Sequence, residues 1–170
     1  MTRPRSDQVG WRTPLCILAL VGLGSIAQAD EASQRAFVAK WAGSYNTEGF
    51  LKEPAVRMEL QQLLGTTFNH LMRNLDVRGG VDLSGETLSL TGNAPHQGTE
   101  EEAIVCATVL PLKTIVEAGI FSNGGITVYS REKQYEHASI CIKDWITQVN
   151  SGHKDRFLLP ANVRMAIPPP

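Results

Sequence analysis

Between Val77 and Ser130 the chain falls into five short runs of alternating apolar and polar residues, and each run stops where the backbone is made to turn. The runs are Val77–Leu83, Glu86–Thr91, Ala103–Leu110, Thr114–Phe121 and Ile126–Ser130. A period of two is that of a strand with one face buried. Gly79-Gly80 reads as a bend or bulge, Ser84-Gly85 as a tight hairpin, Pro111 as a break and Asn123-Gly124-Gly125 as a turn that needs positive φ. Most links are too short for the crossover that parallel neighbours require, so the strands form an antiparallel meander.

Helical patterns flank this region. Phe37, Val38 and Trp41 share a face over 32–41, and Ser44 to Leu51 reads as a turn-rich connector. Pro54 suits the first turn of a helix carrying Val56, Leu60, Leu63 and Leu64, and Thr66 or Thr67 can cap another with Phe68, Leu71, Met72 and Leu75. His70 lies off that stripe and reads as a solvated helix edge without chemistry. From His137 to Val149 the residues Ile140, Cys141, Trp145, Ile146 and Val149 again repeat at helical spacing. The order predicts an α+β fold: a meander of about five strands with helices on both faces.

The N-terminus has the order of a signal peptide, with Arg3, Arg5 and Arg12, an apolar run from Leu15 to Ile26, and Ala27-Gln-Ala29. Residues 1–29 are therefore expected to be a leader cut after Ala29, residues 30–150 the domain, and 151–170 an irregular tail. The expected product is periplasmic and, once cut, off the membrane. Without the leader, Lys+Arg falls from 16 to 13 and Asp+Glu from 17 to 16, a net charge near −3. That balance disfavours nucleic acid and suits a cationic partner. Cys106 and Cys141 remain; they can bridge in an oxidising compartment, but their apolar strand and helix settings favour two free, packed thiols. No Cys-x-x-Cys, zinc-spaced His/Cys cluster or His-Glu-x-x-His occurs, so no metal or cofactor is expected.

The longest link in the meander is Gly92-Asn93-Ala94-Pro95-His96-Gln97-Gly98, followed by Thr99 and Glu100-Glu101-Glu102. Proline stiffens its tip, and the glycines at its shoulders are free to adopt unusual dihedrals. On composition alone it is a polar connector with a histidine at its apex, and the glutamates are a solvated strand edge. His96 with those glutamates is the nearest approach to an acid/base pair, but an exposed loop offers no dry pocket, and no Gly-x-Ser-x-Gly elbow occurs. The chain is read as a binding protein and not as an enzyme.

Several pieces run in the order seen in the inhibitor of vertebrate lysozyme (Ivy) family. They are Phe50-Leu-x-x-Pro-Ala-Val56, Leu60-x-x-Leu-Leu-Gly65, Asn74-Leu-Asp-Val77, Leu90-x-Gly92, Pro95-His96, Glu101-Glu-Ala103, Ile126-Thr-Val-Tyr129 and Trp145-Ile146. The chain resembles that family over about residues 43–150. The resemblance implies a periplasmic, often dimeric inhibitor of c-type lysozyme, active in bacterial cell-wall defence. Its protruding loop enters the enzyme's cleft and sets a histidine against the two catalytic carboxylates. In this chain that loop is Asn93, Ala94, Pro95, His96, Gln97 and Gly98. The family's loop resembles Cys-Lys-Pro-His-Asp-Cys, closed by a disulfide. Here Pro95 and His96 match, while Asn93 and Gly98 stand at the cysteines, Ala94 at the lysine and Gln97 at the acid. The resemblance also allows a protein that has lost lysozyme, or that controls the cell's own murein-cleaving enzymes.

Overall fold

The computed structural model describes residues 22–152 and 162–166. The expected leader lies outside the described residues over 1–21, and the expected cut after Ala29 falls inside the first helix. Five helices are described: α1 (Gly22–Trp41), α2 (Thr47–Lys52), α3 (Pro54–Leu64), α4 (Phe68–Arg73) and α5 (Ile140–Gly152). The strands are β1 (Val77–Arg78), β2 (Asp82–Ser84), β3 (Thr87–Asn93), β4 (Glu101–Leu110), β5 (Lys113–Ser122), β6 (Gly125–Tyr129) and β7 (Val163–Ala166). Among the described residues no helix is long and apolar enough to cross a membrane.

The seven strands form one mixed sheet in the order β1-β3-β4-β5-β6-β7, with β2 also paired to β3. Its centre is the expected meander, since β3 through β6 pair antiparallel in sequence. The first expected strand is split at Gly79-Gly80 into β1 and β2, which pair with opposite ends of β3. The expectation of an irregular tail needs correction, because β7 lies parallel to β6. Asn162 explains its position: its backbone oxygen accepts from Ile126 N at 2.8 Å, and its amide pairs reciprocally with Asn150 on α5.

Alternation along the strands builds two cores. Leu88, Leu90, Ala103, Val105, Ala107, Val116, Ala118 and Ile120 meet α1 to α4 through Trp41, Phe50, Leu60 and Leu71. Ile104, Cys106, Phe121, Ile126 and Val128 meet α5 through Ile142, Trp145 and Ile146. Helices therefore cover both faces, as expected. Trp145 needs Gly119 beneath it, since a Cβ at residue 119 would lie 2.3 Å from the indole ring. Ile140, expected to face the core, is 75% exposed.

The two cysteines are bridged, not free. Cys106 on β4 and Cys141 on α5 have Cα atoms 6.3 Å apart and pin the helix to the sheet. The segment read as a connector before Pro54 is the helix α2, capped by Asn46, whose side chain accepts from Gly49 N at 3.1 Å. Pro54 opens α3 as expected, but neither Thr66 nor Thr67 gives α4 a side-chain cap.

Candidate functional site

β3 and β4 pair as far as Asn93 and Glu102, and the chain then leaves the sheet as the loop 94–100. Two turns shape it. Gln97 N donates to Ala94 O at 3.1 Å, while Glu100 N and Glu101 N donate to Gln97 O at 3.0 and 2.9 Å. In the first turn Pro95 is the second residue and His96, at φ 61°, the third, the arrangement of a type II turn. Positive φ is uncommon outside glycine, although His is among the residues enriched there.

The sequence placed this freedom at Gly92 and Gly98, yet neither is among the residues with positive φ. The strained position is His96 itself. Its side chain is exposed, with Pro95, Gln97 and Gly98 exposed around it. Ala94, expected at the partner surface with its neighbours, is instead buried, at 1% exposure. Asn93 and Gly98 are adjacent, since a Cβ at residue 98 would lie 2.4 Å from Asn93 Nδ2. Beside this stem is a cleft of about 250 Å³ lined by Asn93, Gly98, Glu102, Trp145 and Gln148 among others.

The stem contains a group that the sequence reading missed. Glu101 is only 8% exposed, so the glutamates are not simply a solvated edge. Its Oε2 accepts from His70 Nε2 and Asn74 Nδ2, both at 2.9 Å, and its Oε1 from Ser122 Oγ at 2.5 Å. Burial alone would raise this carboxyl's pKa, but the bonds from Ser122, His70 and Asn74 outweigh burial and hold it below the usual range. A signal was available. Continuing the inward alternation of Ala107, Val105 and Ala103 by one step places Glu101 inward as well. His70, read as having no role, is the bridge from α4.

Glutamate, histidine and serine in contact invite comparison with a hydrolytic triad, but the order is wrong. A triad sets histidine between carboxylate and hydroxyl so that it can take the nucleophile's proton. Here the carboxylate lies between, Ser122 donates to it, and no bond joins Ser122 to His70. The arrangement ties the start of β4 to α4 and β5.

Fold and site thus define an α+β domain, helices on both faces of its sheet, that holds an exposed histidine turn on a buried ionic stem. The family model described as inhibitor of vertebrate lysozyme (Ivy) matches residues 55–151, more than half of the chain, and the chain belongs to the Ivy family. The match runs from α3 into α5 and includes the whole loop. No curated protein and no solved structure gives a match.

Proposed function

We propose that this protein is a periplasmic inhibitor of a c-type lysozyme that inserts the loop Gly92–Gly98 into the enzyme's cleft, with His96 leading. The observation that carries this reading is the exposed turn at Pro95-His96, in a chain that belongs to a lysozyme-inhibitor family. An imidazole between two carboxylates donates from both nitrogens once protonated, and each bond is charge-assisted. Such bonds offset the desolvation that would otherwise oppose covering the enzyme's acids. Contact at the tip comes from Pro95, His96, Gln97 and Gly98, while Asn93 and the buried Ala94 shape the stem.

Titrating a c-type lysozyme with wild type, His96→Ala and His96→Asn tests this. His96→Ala is expected to weaken inhibition by about 2 kcal/mol or more, as at an interface hot spot. His96→Asn tolerates positive φ, so it separates loss of the imidazole from loss of the turn. It should weaken inhibition nearly as much. If wild type inhibits and both variants inhibit equally well, His96 does not lead. If wild type does not inhibit, replacement of the loop cysteines by Asn93 and Gly98 has accompanied a change of target, and murein-cleaving enzymes become the next candidates.

A further inference from the structure

We infer that Glu101 is the positioning residue of the inhibitory loop, setting the direction in which His96 is presented through its grip on α4 and β5. The inference rests on the reading that this loop engages lysozyme. A loop held only at the ends of its strand pair can pivot about them. This one is held at a third point. The backbone oxygen of Glu101 accepts from Ala94 N at 3.0 Å and its N donates to Gln97 O, so one residue binds both legs. Its carboxylate reaches His70 and Asn74 from α4 and its C-terminal end, and Ser122, its ladder partner on β5.

The chemistry at this point calls for an anion. Three donors converge on the two carboxylate oxygens, and only an ionised acid accepts from all of them without presenting a proton of its own. Asn74 shows the same demand. Its amide turns its NH2 toward Glu101, and also toward Glu102 O at 3.4 Å, leaving Oδ1 buried without a partner. Turned the other way, that oxygen would face the carboxylate. The site has no triad geometry, and the loop 94–100 ends at the residue just before Glu101.

The test pairs inhibition of a c-type lysozyme with amide hydrogen exchange on the full folded protein, for wild type, Glu101→Gln, His70→Leu and His70→Gln. Expected for Glu101→Gln are exchange at Gln97, Glu100 and Glu101 at least tenfold faster, unchanged exchange at Val105 and Ala118 in the sheet, and inhibition weakened at least tenfold. His70→Gln keeps a donor toward Glu101 while His70→Leu fills the space without one, so His70→Gln should keep most of what His70→Leu loses, which a merely space-filling role would not produce. A folded Glu101→Gln protein with loop exchange unchanged overturns the inference, as does faster exchange with undiminished inhibition. If Glu101→Gln does not fold, the two His70 variants decide, and identical behaviour overturns it. If wild type inhibits no lysozyme, the functional reading fails, and the exchange data alone judge whether Glu101 orders the loop.

Discussion

β4 reverses direction at both of its ends, and the two reversals are built differently. At its C-terminal end Leu110 pairs with Lys113 across Pro111-Leu112, a two-residue turn with Leu112 83% exposed. At its N-terminal end the chain spends the residues 94–100, buries Ala94, bends backward at His96 and fixes Glu101 with three side-chain bonds. The first turn shows what the meander requires: two residues close a hairpin. Everything beyond that at the other end is structure the sheet does not need. Strain at an exposed residue together with a buried ionic anchor is the combination expected where a surface is held ready for a partner.

The largest effect should come from the middle of β4, where the comparison predicts that neither end is favoured. The Cys106–Cys141 bridge closes a span of 35 residues, for which loop-closure entropy gives about 3 to 4 kcal/mol. Replacing both cysteines, Cys106→Ala with Cys141→Ser, should lower the unfolding free energy by that amount in a denaturant titration. Inhibition measured below the transition should stay within about twofold, well under the factor of ten that 1.4 kcal/mol represents. Inhibition lost in step with stability would mean that α5 helps to hold the loop.

The next effect bears on the loop itself. A Cβ at residue 98 would lie 3.6 Å from Asn93 Cγ, which brings the two side chains within reach of each other, so Asn93→Cys with Gly98→Cys is expected to close the stem. Ordering even one or two side chains before binding removes about 0.5–1.5 kcal/mol each from the cost of association. The oxidised variant should therefore inhibit roughly tenfold more tightly than the same protein reduced. Equal inhibition in both states would show that the ionic stem has already ordered the loop.

Much of this architecture is legible in the residues. The alternation between Val77 and Ser130, broken at Gly79-Gly80, Ser84-Gly85, Pro111 and Asn123-Gly124, gives the antiparallel centre of the sheet and locates the loop. Patterns fail where the decisive partner is distant. Glu101 is set by His70 and Asn74, thirty-one and twenty-seven residues away, and a single-residue pattern on α4 cannot foretell that pairing. β7 is four residues without a period, held by the amide of Asn162 against Asn150. Whether Cys106 and Cys141 bridge depends on an approach of α5 to the sheet that apolar surroundings permit but do not require. Glycine is the usual occupant of positive φ, so Gly92 and Gly98 point to the shoulders of the loop, and nothing in the sequence marks His96 as the residue that adopts it.

Acid should distinguish the two ends of β4 as well. The carboxyl of Glu101 titrates below its ordinary value of 4.5 in the folded protein. A depressed carboxyl contributes stability that is present above its unfolded value and is lost as pH falls through the folded one. Glu101→Gln should therefore flatten the decline in stability below about pH 4.5 while lowering stability at pH 7. Unfolding titrations of both proteins across that range check the sign. Parallel curves would remove the ionic stem from the account.

The smallest effect is expected at the short turn, and its smallness is what the comparison requires. Leu112 is exposed and Pro111-Leu112 makes only a strand reversal, so Leu112→Ser removes neither a packed side chain nor a bond that shapes the backbone. Surface changes of this kind fall within about 0.5 kcal/mol. Unfolding of Leu112→Ser should match wild type within that margin, and inhibition of lysozyme should be unchanged. An exposed leucine is, however, also what an apolar contact uses, so the outcome is not trivial. If Leu112→Ser weakens inhibition as much as His96→Ala does, the partner touches both ends of β4. The long loop would then be one part of a wider contact surface, and its strain at His96 would need a different explanation.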